Sequence, residues 1–205
     1  MSSSRPAGQR HLPRERRRVE LVSAAIRVMR RQGLLETTTR DVAAEAKVSP
    51  GLVHHYFTSQ DDLVAEAFAE VAQEDLRRVR AALEASPSAG ARLSTLIDSF
   101  TPADAEWPFL LWIDAWAASR RHEAVRITSR SLNQSWVEMF EQVFRDGVED
   151  GSFVCPDPRA AAWRMLALLD GSAVQVLARQ TDVSEATVNA WVRETACREA
   201  GLSTL

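Results

Sequence analysis

Three polar aromatic side chains in a row, His54, His55 and Tyr56, are the densest chemistry in this 205-residue chain. They follow Ser49-Pro50-Gly51-Leu52-Val53, which reads as the opening of a short helix. Ser49 caps it, and Pro50 takes the first helical position, where its missing N–H costs little. Val53 and Phe57 supply a buried side, leaving Gly51, Leu52, His54, His55 and Tyr56 free. Such side chains can donate to phosphates, stack on sugars and touch thymine methyls. Packed inside a helical core, they would instead form a satisfied aromatic cluster. Catalytic chemistry is poorly represented. The chain has four histidines, His11, His54, His55 and His122, so the C-terminal body lacks a histidine-based pair. There is no zinc-helix motif, phosphate loop, nucleophile elbow or dinucleotide fingerprint. Carboxylate neighbours such as Glu149 and Asp150 fall at a helix end, where solvation is the expected role. The sequence disfavours an enzyme and calls for no cofactor and no metal.

The elements that must position the three aromatics lie just before them. Thr38 or Thr39 offers a hydroxyl to cap a first helix, in which Val42, Ala43 and Ala46 share one face. Ala43 is small enough for a second helix to cross closely. Lys47-Val48-Ser49 is the turn, with Val48 pointing inward. Two helices joined by a three- or four-residue turn form the helix-turn-helix unit, whose second helix lies in the major groove of DNA.

The run TTRDVAAEA-KVSPGLVHHYF-TSQDDL, within Val19 to Leu63, resembles the N-terminal DNA-binding domain of the TetR family of bacterial transcription regulators. The resemblance implies an all-α homodimer, with a three-helix head and a larger C-terminal domain that binds a small molecule and releases DNA. Carried over by position, Thr39, Arg40, Pro50, Gly51, Leu52, His54, His55 and Tyr56 occupy DNA-contact sites, with Lys47, Ser49 and Gln60 beside them. Two positions depart from the family pattern. Lys47 stands where glycine is usual, and a non-glycine residue in a left-handed turn costs on the order of 1 kcal/mol unless offset by a phosphate contact. Gln60 stands where lysine is frequent, which removes roughly one charged phosphate contact from the salt dependence.

The charge distribution fits a basic head on an acidic body. Residues 1–60 hold eleven bases and five acids, a balance of +6; the whole chain is −3, so the remainder carries −9. That asymmetry is the footprint of a protein meeting phosphate with one end. The hydrophobic fraction, 45%, is that of an ordinary soluble globule. Cys155 and Cys197 make neither a framework nor a metal pattern and fit a reducing cytoplasm, although a disulfide between them stays open. No signal peptide or membrane helix is expected.

The elements follow in order. Residues 1–12 read as a disordered basic arm, in which Arg5 and Arg10 could follow a groove. Residues 13–59 form the DNA-binding head and 60–205 the ligand-binding and dimerisation body. The first helix starts near Pro13 or Arg14, carries Val19, Leu21, Val22, Ala25, Ile26 and Met29, and ends at Gly33; Leu34-Leu35 packs back. Ser59 caps a long helix reaching about Ala85. Helices are then expected over Ala91–Phe100, ended by Thr101-Pro102; over Asp104–Ala118; over Glu123–Val148, with Ile127 in its apolar set; over Pro158 to about Ala178; and over Ser184 to about Ala200. The fourth of these is apolar nearly all round, with Asp170 as the acid inside it, and so should be buried on more than one side. The last exposes Val188, Trp191 and Val192 on one stripe.

Six tryptophans occur. Trp112 and Trp116, at i and i+4, share a helix face, with Asp114 off it. They suggest a cavity lined by Phe109, Trp112, Trp116, Trp136, Phe140 and Met165, against the plainer reading of core packing. Indoles near a carboxylate can hold a cation such as a quaternary ammonium. The C-terminal half is similar to the subgroup that includes choline-responsive repressors. The resemblance also implies a four-helix dimer interface through residues 158–200, where Ala167, Gly171, Ser172 and Ala173 permit close approach.

The leading expectation is therefore a homodimeric regulator, a repressor released from an inverted-repeat operator in double-stranded DNA by a small effector. A second is a structural or division-type DNA-binding protein that recruits a protein partner and has no small ligand. A third is a helical enzyme fused to a DNA reader.

Overall fold

The computed structural model describes residues 13–100 and 106–205. The expected arm at 1–12, the helix stop at Thr101-Pro102 and the helix start at Asp104 lie outside the described residues. Those residues are helical without a strand. The helices are α1 (Arg14–Gln32), α2 (Thr39–Glu45), α3 (Pro50–Tyr56), α4 (Gln60–Glu84), α5 (Ala89–Ser99), α6 (Glu106–Ala118), α7 (Glu123–Glu149), α8 (Pro158–Ala173) and α9 (Glu185–Ala200).

Local chemistry accounts for the boundaries. Ser49, Ser59, Ser88, Asp157 and Ser184 each accept a backbone N–H from the opening of the helix that follows, satisfying donors that have no intrahelical partner. Thr38, rather than Thr39, caps α2, and Asp41 bonds back to complete a capping box. Gly33, at φ 85°, ends α1.

The head packs α1 against α2 and α4, and α2 against α3. Leu21, Met29, Val42, Val53 and Phe57 form its core, with Leu63 and Phe68 of α4. That core runs without a break along α4 into the body, where α7 packs against α4, α5, α6 and α8, and α9 against α5 and α8. Helix α4 thus belongs physically to both parts.

Several outward residues depart from the sequence reading. Val19 is 63% exposed, Ile127 57%, and Leu35 is also exposed; apolar spacing places a residue on a face but does not show where that face ends. On α9, Val192 is buried and Val188 half-buried while Trp191 faces out, because i and i+4 share a face and i+3 lies at its edge. The helix expected to reach Ala178 stops at Ala173. A π-turn, Val174–Ala178, follows, and Gln180 leaves it at φ 48°. Apolar periodicity does not distinguish a π-turn from α-helix, and the wider turn lets this segment pack against α6. Finally, α8 is not covered all round in the single chain. Trp163, Ala167 and Gly171, spaced by four, are exposed.

Candidate functional sites: a nucleic-acid face and an aromatic cavity

Helix α3 is held by its ends. Lys47 adopts φ 56°, the left-handed conformation expected at the family's glycine position. The N–H of Val48 donates to the Ala43 carbonyl at 2.9 Å, closing the turn. Ser49 Oγ accepts from the Leu52 N–H at 3.3 Å. At the far end Arg18 of α1 donates to the Tyr56 carbonyl at 2.7 Å, pairs with Glu66 of α4 and lies over the Phe57 ring at 4.5 Å. Sequence reasoning missed Arg18, since its partners are 38 and 48 positions away and no local pattern announces them.

With α3 fixed, Pro50, Gly51, His54 and His55 are exposed, and Leu52 and Tyr56 are half-buried. His55 meets Tyr56 edge-on at 5.3 Å. Arg40, Lys47, Ser49 and Gln60 are exposed nearby, whereas Thr39 is 9% exposed. Gln60 Oε1 accepts the Thr39 N–H at 3.4 Å, tying the start of α4 to the start of α2. A Cβ built at Gly51 would meet nothing within 4 Å, so the protein's own packing does not require glycine there. Two further bases, Arg27 and Arg31, pair with Glu45 at 2.7 Å each, which holds that carboxyl below its usual range.

Helix α6 connects this head to the body. Asp114 Oδ2 accepts the Leu34 N–H at 2.9 Å and sits against Gly33, where an added Cβ would come within 2.9 Å of it. Arg30 of α1 lies over the Trp107 ring at 4.4 Å. Phe68 of α4 meets Trp112 edge-on at 5.0 Å. Independently of α6, His122 pairs with Asp61 of α4 at 2.8 Å. Asp114 therefore serves the junction, not the indoles.

The opposite face of α6 borders a cavity. Trp112, Trp116, Phe109 and Pro108 line it from α6, with Trp136 and Asn133 of α7, Phe100 and Ser99 at the end of α5, Asp75 of α4, and Leu166 and Asp170 of α8. Four of the six expected lining residues are there. Phe140 and Met165 are not: both are fully buried in the solid core, since the face that Phe140 shares with Trp136 runs on into the helix packing beyond the cavity. The carboxylates are Asp75 and Asp170, which sequence reasoning had not placed there. The signal available was Asp170 itself, an acid inside an otherwise apolar run. No lysine, arginine or histidine is among the described lining residues. Asp75 accepts from Arg78 at 2.9 Å. Asp170 makes no ion pair or hydrogen bond through its side chain with a described residue, and burial raises its pKa to about 7. The free space is about 30 Å³, room for roughly two waters. A quaternary ammonium is larger than this free space.

Comparison with known proteins agrees with this layout. Residues 21–67 match the family described as bacterial regulatory proteins, tetR family, and residues 89–200 match the BetI-type transcriptional repressor C-terminal domain. A transcriptional regulator BetI of Brucella canis is 31% identical over 133 residues, covering 62% of this chain and 67% of that one. Its counterpart in Agrobacterium fabrum is 28% identical over 186 residues, 87% and 85% of the two chains. A transcriptional regulator from Pseudomonas aeruginosa superposes with a TM-score of 0.77 at 27% identity, over 93% of each chain. One from Saccharomonospora viridis, solved in complex with choline, gives 0.77 at 24%, over 88% of this chain and 95% of that one. The chain belongs to the TetR family of bacterial regulatory proteins, with a BetI-type C-terminal domain, and is a helix-turn-helix transcription regulator.

Proposed function

We propose that this regulator is a cytoplasmic homodimeric repressor that leaves an inverted-repeat operator when a small organic cation enters the aromatic cavity. Residues 13–59 read DNA through α3, with Arg40, Lys47 and Ser49 at the phosphates and His54, His55 and Tyr56 at base edges and sugars. Glycine at 51, which the protein's packing does not require, suits a helix that approaches the duplex closely. Residues 60–205 bind effector and dimerise. The dimer forms through residues 158–200, where α8 leaves Trp163, Ala167 and Gly171 uncovered and α9 leaves Trp191 uncovered. One two-fold axis then sets two half-sites about a helical turn or more apart.

One observation carries the effector reading. The same helix, α6, walls an anionic aromatic cavity on one face and holds the head by Asp114 and Trp107 on the other. A cation among Trp112, Trp116 and Trp136, facing Asp170, is favoured by ring quadrupoles and by a carboxylate without a competing base. The choline bound by the Saccharomonospora relative is of this class. Effector binding would bias the dimer toward a head separation that does not match the operator, a shift between two populated geometries. The grouping of indoles and a buried carboxylate around this space, rather than the bare volume, favours this over a division-type DNA protein without a ligand. Binding calorimetry with tetramethylammonium and choline tests it: micromolar to millimolar binding supports the reading, and no heat with either sinks it.

Two variants separate the parts. Asp114→Ala removes the acceptor of the Leu34 N–H and should cost about 1–2 kcal/mol of stability. It should also leave tetramethylammonium affinity nearly unchanged while weakening the cation's effect on DNA; unchanged coupling in that variant would take α6 out of the mechanism. Gln60→Lys restores a cation at the head. It should tighten DNA binding and steepen log affinity against log salt by about one unit per head, read by fluorescence anisotropy between 50 and 200 mM salt. An unaltered slope would mean residue 60 does not reach a phosphate.

A further inference from the structure

A second void adjoins the first. Phe100 and Phe109 belong to the lining of both, and their rings stand 5.9 Å apart. Beyond them the wall is aliphatic: Ile97 of α5, Leu169 of α8, Val176 and Leu177 of the π-turn, and Val188 and Val192 of α9. Leu169 and Asp170 are consecutive on α8, yet Leu169 lines the second space and Asp170 the first. The π-turn that interrupts the expected helix supplies two of the wall residues, and such turns often mark functional sites. The described polar residues at this second space are Ser172, Glu185 and Asn189. Glu185 is exposed, so the space reaches solvent on that side. Its free volume is about 40 Å³. A mostly aliphatic wall gains by covering itself with hydrocarbon, and the opening beside Glu185 gives a chain a way to solvent.

We propose that the effector is an amphiphile: its quaternary ammonium sits among the indoles of the first space, and a short hydrocarbon chain passes between Phe100 and Phe109 into the second. This rests on the cation reading of the aromatic cavity and specifies it. A compact cation fills only one space, whereas a cation with a chain fills both and displaces the two phenylalanines between them. The chain is unbranched near the head, because it must pass between two rings.

The test is calorimetric titration of the full-length protein with tetramethylammonium and its butyl-, hexyl- and octyltrimethylammonium analogues, below their micelle concentrations. Affinity should rise about three- to fourfold per methylene over the first several carbons, the factor expected for a buried CH₂, and then level off. Val188→Trp fills the second space at a residue that does not line the first. It should flatten the series while holding tetramethylammonium affinity within about twofold. Ile97→Phe, a smaller intrusion at the same wall from α5 and outside residues 158–200, is the companion if the tryptophan variant fails to fold by circular dichroism. Tetramethylammonium binding with no dependence on chain length in the wild type would overturn the amphiphile and leave the cation reading standing. A chain-length rise unchanged in a folded filling variant would place the chain elsewhere and also overturn it. No binding by any member would overturn both.

Discussion

Alanine at His54 is expected to weaken operator binding by about 30- to 1000-fold while leaving the dimer, the helix content and effector affinity unchanged. His54 is exposed on α3 and its side chain has no hydrogen-bond partner among the described residues, so trimming it to alanine should leave the fold intact. What it loses is one base-edge or phosphate contact in each half-site. A contact of that kind contributes about 1–2 kcal/mol, and a two-fold dimer loses it twice. Tyr56→Ala is a less clean test, because Tyr56 is half-buried and packs edge-on against His55. Anisotropy titration with operator and with random duplex, beside sedimentation of the free protein, separates the outcomes. Equal losses on both duplexes would assign His54 to phosphate, and a loss confined to operator would assign it to bases. Dissociation of the dimer would remove His54 from the recognition face.

Asp170→Asn carries the second large effect. A carboxylate facing a cation in a partly buried cavity contributes about 1–3 kcal/mol after its desolvation is counted, so tetramethylammonium or choline affinity should fall about 5- to 150-fold. The pH dependence gives an independent check. Burial raises the Asp170 pKa from 3.8 to about 7, so near neutrality the group is divided between neutral and charged forms. Cation affinity should climb from pH 6 to pH 8 and level off above, with protons released on binding near pH 7; the asparagine variant should show neither. Stability of the unliganded protein runs the other way. The folded state holds a proton that the unfolded state releases at about 4, so this group favours folding most at low pH. That contribution declines as pH rises from about 4 to 7. Asparagine removes the penalty of burying the charge, and the variant should melt at a higher temperature than the wild type at pH 8. Unchanged cation affinity with an intact fold would assign the cavity to another class of ligand.

The head was largely legible in the sequence because its signals are local. Ser49-Pro50 marks the start of α3, Lys47 takes the left-handed turn, and Gly33 and Ser59 bound α1 and α4. Each is a cap or turn whose chemistry acts within four residues. The cavity was half legible. Trp112, Trp116, Phe109 and Trp136 could be grouped by helix face, but depth could not be read, so Phe140 and Met165 were grouped with a cavity whose lining they do not join. Asp114 and Asp170 show the same limit from the polar side. Both are acids within apolar helices, and only tertiary packing decides that one caps the head's Leu34 and the other faces the indoles. Arg18 and Arg30 were seen as positive charge; their contacts with Tyr56, Glu66 and Trp107 come from elements distant in sequence.

DNA head and aromatic cavity are linked by a coupling free energy, which must be reciprocal if both ligands bias one equilibrium. The direct measurement is operator affinity across a titration of tetramethylammonium or choline, paired with cation affinity with and without saturating operator. Saturating cation should weaken operator binding about 10- to 100-fold, operator should weaken cation binding by the same factor, and Asp114→Ala should shrink both factors together. Cation binding that leaves operator affinity unchanged would contradict this coupling, and would make the aromatic cavity a site without a part in regulation.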